Sequence, residues 1–150
     1  MRKKAIVVDL DGTLFNVGHR LHHIQKSPKD WNAFSAGTVD DTTNHWCEQL
    51  IWAMRLQNYE IIYLTGRKSS DMQVTRESLY KHLGSVGLKD PLHMRNPRDF
   101  RNDSIYKVEI LQTLIVPVYD VLFVLDDRPS VVRSLRSAGF TVLAVNDKEF

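Results

Sequence analysis

The chain has 150 residues, 43% hydrophobic and 25% charged, with a formal net charge of +2. That length supports one domain burying roughly 70% of its unfolded surface, with a composition ordinary for a globular protein. The near-neutral charge permits anionic partners without requiring them, and a single cysteine, Cys47, excludes an internal disulfide and points to a reducing, cytoplasmic setting. No apolar stretch approaches the ~18 residues of a membrane span. The basic start, Met1 to Lys4, leads into an apolar run too short for a signal peptide.

Ile6, Val7 and Val8 form a β-branched run that reads as a buried strand of a parallel sheet. Open α/β sheets place ligands at the carboxyl ends of such strands, where Asp9 and Asp11 fall. Two carboxylates this close repel unless a cation or proton lies between them, and Mg²⁺ fits that need. Residues 15–39 show no sustained period and contain Gly18, Pro28, Gly37, His19, His22 and His23. Short helical turns are expected at 21–24 and 31–34, within a stretch long enough to be a lid or binding loop. The three histidines lack a fourth soft ligand for structural zinc.

Asp40, Asp41 and Thr42 are N-cap candidates for a helix with apolar positions Trp46, Leu50, Ala53 and Met54, in which Cys47 packs. Residues 60–64 form a second buried strand ending in a Thr65-Gly66-Arg67 turn. Ser70 to Gln73 has capping-box spacing and opens a helix carrying Met72, Leu79 and Leu83 inward, stopped by Gly84. Residues 91–94 read as a short strand and 95–102 as a basic loop. Asp103 or Ser104 caps a helix whose inward face is Ile105, Val108, Leu111 and Leu114, ended by Pro117. A strand over 121–125 delivers Asp126 and Asp127. Pro129 then suits the first turn of a helix running to Gly139, and 140–145 is the last strand. This alternation predicts an α/β fold, a doubly wound parallel sheet with helices on both faces.

Four polar clusters stand at or beside strand ends: Asp9 with Asp11, Thr65 with Arg67, Lys107, and Asp126 with Asp127. A phosphatase with a carboxylate nucleophile needs this inventory. Asp9 can attack phosphorus, and Asp11 can protonate the leaving alkoxide and then activate water. Thr65 and the Gly66 backbone can hold a phosphoryl oxygen, and Lys107 can neutralise charge. Asp126 and Asp127, with Asp9 and the Asp11 carbonyl, can complete a Mg²⁺ shell. Each cluster alone has a bland reading as a turn, a solvated lysine or a capped loop. Their order and matching positions in the sheet favour the chemical one.

Asp9-x-Asp11-Gly12-Thr13-Leu14 after a strand resembles the first motif of the haloacid dehalogenase-like (HAD) phosphatases, in which the first Asp is nucleophile and the second general acid/base. The resemblance implies a HAD-like Rossmannoid core with a minimal cap, residues 15–39, inside a single domain spanning 1–150. More narrowly, the chain looks like the 3′-phosphatase domain of phage polynucleotide kinase/phosphatase. Arg20, Thr65-Gly66-Arg67, Met94-Arg95, Asp99-x-Arg101-x-Asp103-x-x-x-Lys107 and Asp126-Asp127-Arg128 carry that likeness. It implies substrate contacts from Arg20, Gly66, Arg67, Arg101 and Asp103, with Arg67 beside Thr65 foremost, and repair of 3′-phosphorylated polynucleotide ends. No Gly-x-x-x-x-Gly-Lys-Ser/Thr string occurs, so a separate kinase or ligase is the expected partner. The alternatives are a nucleotide phosphatase of the 5′-nucleotidase type and a non-catalytic nucleic-acid-binding module. The intact second carboxylate argues against the module. Trp31, Phe34 and Tyr106 read first as core residues and only second as base-stacking ones.

Overall fold

The structure, a computed structural model, describes residues 1–146. Its strands are β1 (Lys3–Val8), β2 (Phe15–Asn16), β3 (Thr42–Thr43), β4 (Glu60–Lys68), β5 (Leu92–Arg95), β6 (Tyr119–Asp126) and β7 (Val142–Ala144). Its α-helices are α1 (Trp31–Ala36), α2 (His45–Leu56), α3 (Met72–Leu83), α4 (Val86–Lys89), α5 (Asp103–Ile110) and α6 (Pro129–Ser137). The main sheet is parallel in the order β5-β4-β1-β6-β7, and β2 and β3 pair antiparallel apart from it.

Successive strand residues point to opposite faces, and β1 shows why it occupies the centre. Ile6 and Val8 pack with Cys47 and Ile51 of α2 and Leu79 and Leu83 of α3. Ala5 and Val7 pack on the other face with Tyr106 and Leu111, and with Val131 and Leu135 of α6. Burial on both faces explains the unbroken apolar run, and the expected doubly wound α/β sheet is what forms. The chain winds outward from β1 through β4 to β5, then returns to β6 and β7 on the other side. The switch in winding direction therefore lies at β1, where such sheets open a crevice beyond the strand ends.

Several local expectations differ from the structure. β4 does not turn at Thr65-Gly66-Arg67 but continues to Lys68, which pairs with Arg95 across a register shift. Asn44, not Asp40 or Asp41, is the N-cap of α2, and Thr42 belongs to a strand. Asp71 makes no side-chain cap bond to α3, and Met72 is exposed. On α5 and the wider π-type turn that follows it (Leu111–Ile115), Ile105 and Leu114 are exposed while Tyr106, Lys107, Leu111 and Ile115 are buried. The helix is rotated because its lysine must reach two buried carboxylates. The short helix α4 was not expected at all. No described helix is long and apolar enough to cross a membrane.

Cys47 packs in the core as expected, and burial, then the charges of Asp9 and Glu48, push its thiol up to about 12. At pH 8 almost no thiolate exists to react. A disulfide reagent is expected to titrate no thiol in the folded protein and one after denaturation. Rapid labelling of the native state would show that α2 opens readily.

Candidate active site

The register of β1 sets Val8 beside Tyr63 on β4 and Leu125 on β6. Asp9 follows where β1 and β6 end while β4 runs on to Lys68, its N–H donating to the Leu125 carbonyl (3.0 Å). Thr13 Oγ1 donates to Asp9 Oδ2 (3.0 Å). From the opposite side, Lys107 Nζ on α5 donates to Asp9 Oδ1 and Asp126 Oδ2, each at 2.7 Å. Asp9, Asp126 and Asp127 each bring one carboxylate oxygen within 4.8 Å of the others.

One ammonium thus faces three buried carboxylates. Burial first, then the Asp126 charge, raises the Asp9 carboxyl well above its ordinary range, and burial raises Asp127. Burial pulls Lys107 the other way, yet Asp126 and Asp9 outweigh it and keep the ammonium charged far above neutral pH. The two signs agree, because a single cation satisfies only part of a triple anion. The residual negative charge and the all-oxygen donor set fit a hard divalent cation such as Mg²⁺. Gly12, at φ +85°, lets this cluster close, since a Cβ there would overlap the Asp127 carboxylate.

Asp11 faces a second charge network. Arg67 Nε and Arg20 Nη2 both donate to Asp11 Oδ1 at 3.0 Å. Burial pushes the Asp11 carboxyl up, but Arg67 and then Arg20 outweigh it and hold it below the usual range. Behind Asp11 lies Asp41, which is buried and accepts Arg20 Nε (2.8 Å), Arg20 Nη2 (2.7 Å) and Arg67 Nη2 (3.1 Å). His19 Nε2 reaches the same carboxylate at 2.7 Å. Arg20 also donates to the Phe34 carbonyl (3.0 Å) and lies 4.1 Å from that ring's centroid. Arg67 donates to Thr75 Oγ1 (3.1 Å), and its N–H donates to Thr65 Oγ1 (3.0 Å).

The third group surrounds Asp103. Arg95 donates to its Oδ1, and Arg128 Nη1 to its Oδ2 at 3.3 Å. Gly66 lies against it so closely that a Cβ would overlap the carboxylate. This contact gives the family-like Gly66 a steric reason. Arg101 is bound to Asp99 and Glu109 at the rim.

All the residues singled out from the sequence, Asp9, Asp11, Arg20, Thr65, Gly66, Arg67, Arg101, Asp103, Lys107, Asp126 and Asp127, line one cleft of about 670 Å³. The Asp11 side chain is engaged by the arginines through Oδ1 and lies outside the Asp9-Asp126-Asp127 cluster. Arg20, Arg67 and Arg101 direct their nitrogens at protein acceptors. Sequence reasoning missed a site role for Asp41 and did not pair Asp103 with Arg95 and Arg128. Asp41 carried no usable signal, because an acid just before a helix suits an N-cap equally well. Phe34 and Tyr106 are core residues, whereas Trp31 is exposed.

The sequence profile of the polynucleotide kinase PNKP phosphatase domain matches residues 3–150. A chain in the structure of the Pnkp1/Rnl/Hen1 RNA repair complex is 30% identical, with a TM-score of 0.82, over 99% of this chain and 44% of that one. The present chain therefore spans less than half of that relative. The fold is shared with the class C acid phosphatase of Bacillus anthracis, at 14% identity and a TM-score of 0.71, over 100% of this chain and 69% of that one. A haloacid dehalogenase-like hydrolase of Streptococcus pneumoniae is similar at 14% identity and a TM-score of 0.66, over 95% of this chain and 84% of that one. The chain belongs to the family of polynucleotide kinase phosphatase domains, which are HAD-type phosphatases.

Proposed function

We propose that this chain is a Mg²⁺-dependent phosphomonoesterase that forms an aspartyl phosphate on Asp9 and removes 3′-phosphate from polynucleotide ends. The observation that carries the reading is Lys107 Nζ bonded to both Asp9 and Asp126, beside Asp127, on the lining of one cleft. Residues 15–39 are read as a small cap on one domain, which leaves room for a polymer end. The match over 3–150 supports a polynucleotide substrate, and the likeness to a chain of an RNA repair complex supports work alongside partner proteins of nucleic-acid repair.

Asp9 Oδ attacks phosphorus, the P–O bond to the leaving oxygen breaks, and Asp11 supplies that oxygen's proton. With both arginines on Oδ1, Asp11 handles the proton at Oδ2. The approach of a dianionic phosphate raises this carboxyl back toward protonation. After the leaving group departs, Asp11 takes a proton from the water that attacks the acyl phosphate. Thr65 Oγ and Lys107 Nζ hold the transferring oxygens. A bound Mg²⁺, held by Asp9, Asp127, Asp126 and the Asp11 carbonyl, would screen the phosphate from the carboxylates.

Phosphate release across 3′-phosphorylated oligonucleotides, mononucleotides and sugar phosphates, with and without chelator, tests the reading. Activity is expected to vanish in chelator and return with Mg²⁺, with the oligonucleotide preferred. Equal rates on mononucleotides would replace it with a nucleotidase.

Asp11→Asn separates the acid's role from a structural one. A ribose alkoxide needs its proton in the transition state, a contribution of about 10²–10⁴ in rate. An aryl oxide needs little. The variant is expected to lose far more activity on sugar-linked phosphates than on p-nitrophenyl phosphate, and equal losses would argue for a purely structural Asp11.

A further inference from the structure

The cleft's arginines face protein carboxylates, so flanking phosphates of a polymer must find other cations. Lys26 and Lys29 form no ion pair among the described residues. Both line a second cavity, of about 530 Å³, which shares Trp31 and Asn32 with the catalytic cleft. The two hollows therefore adjoin at the start of α1. Asp30 also borders it, but its carboxylate is turned to the backbone, where it accepts from the Ala33 N–H at 3.0 Å.

Trp31 stands where the hollows meet and is 51% exposed, which is costly for an indole that packing could have hidden. Lys29 Nζ lies 5.6 Å from its ring centroid. Trp31 and Phe34 meet edge to face, centroids 5.7 Å apart and planes at 86°, and Phe34 in turn supports Arg20, which holds Asp11. The exposed ring is thereby fixed relative to the catalytic acid by direct contacts. An exposed aromatic face flanked by unpaired cations, opening from a phosphate site, matches the chemistry of single-stranded nucleic acid, in which bases stack and phosphates alternate.

We propose that the 26–32 segment is a strand-guiding subsite. Trp31 stacks a base upstream of the 3′-terminal nucleotide, and Lys26 and Lys29 neutralise the phosphodiesters beside it. The proposal rests on the polynucleotide reading above and gives the insertion a task. It makes length, rather than base identity, the determinant of substrate preference.

The test is kcat/KM at two salt concentrations for 3′-phosphorylated oligonucleotides of increasing length, for one with an abasic upstream residue, and for glycerol 2-phosphate. Wild-type kcat/KM is expected to rise with the second and third nucleotides and to fall for the abasic oligomer. Trp31→Ala is expected to raise KM on oligonucleotides about five- to a hundredfold and to leave glycerol 2-phosphate unchanged. Trp31→Leu, which still covers Phe34, is expected to do the same, so a folding failure of the alanine variant does not decide the matter. The Lys26→Ala/Lys29→Ala protein is expected to lose about 1.4 from the salt slope, ~0.7 per phosphate. Length and salt dependence unchanged in these variants would overturn the subsite while leaving the 3′-phosphatase reading intact. A wild-type enzyme with no preference for any oligonucleotide over glycerol 2-phosphate would overturn both.

Discussion

Asp9→Asn is expected to abolish phosphate release, lowering turnover by on the order of 10⁴ or more, the scale reached when a covalent nucleophile is removed. The amide keeps the shape of the carboxylate: its oxygen can still accept from Lys107 Nζ, and its NH2, in place of Asp9 Oδ2, can donate to Thr13 Oγ1. It has no lone pair basic enough to attack phosphorus. The neutral side chain also relieves the crowding of three carboxylates around one ammonium, so the melting temperature should not fall. Acid quenching during turnover should trap a hydroxylamine-labile phosphoenzyme in the wild type and none in the variant. A folded Asp9→Asn protein with wild-type release would remove Asp9 from the reaction.

The parts of this molecule legible in its sequence are those decided by neighbours in the chain. Ile6 to Val8 and the acids after them are read together because a doubly buried strand must be apolar throughout, and its end is where polar groups can begin. The alternation of strands and helices required no knowledge of the sheet order. Lys107 was legible only through its place among the other motifs. By itself it argued for a solvated face, and the amphipathic pattern put Ile105 and Leu114 inward in its stead. The ammonium is buried because its acceptors lie 98 and 19 residues away, a fact no local window contains. Thr65-Gly66-Arg67 misled for a related reason. Glycine there signalled a turn, whereas it keeps a strand clear of the Asp103 carboxylate. His19 read as a loop residue, and it is one by position, but its ring reaches Asp41 on the far side of the insertion.

Asp41 is where that long-range character has its largest thermodynamic consequence. Its side chain is inaccessible to water and is the common acceptor for Arg20 and Arg67, both nearly buried themselves. Removing one partner from such a cluster leaves guanidinium charge desolvated without compensation, a cost of about 3–5 kcal/mol. For a domain of this size each kcal/mol is worth roughly 2–4 °C, so Asp41→Ala is expected to lower the melting temperature by about 6–20 °C. The Arg20→Ala/Asp41→Ala pair should lose less than the sum of the single variants, by about 0.5–3 kcal/mol, because each single change strands the other's charge. Function should follow the same geometry. Arg20 and Arg67 orient Asp11, so whatever folded Asp41→Ala protein remains should discriminate against alkyl leaving groups, as Asp11→Asn does. A variant that melts within a degree or two of wild type, with additive losses and an unchanged ratio of alkyl to aryl turnover, would mean that Asp41 neither holds the arginines nor orients the acid.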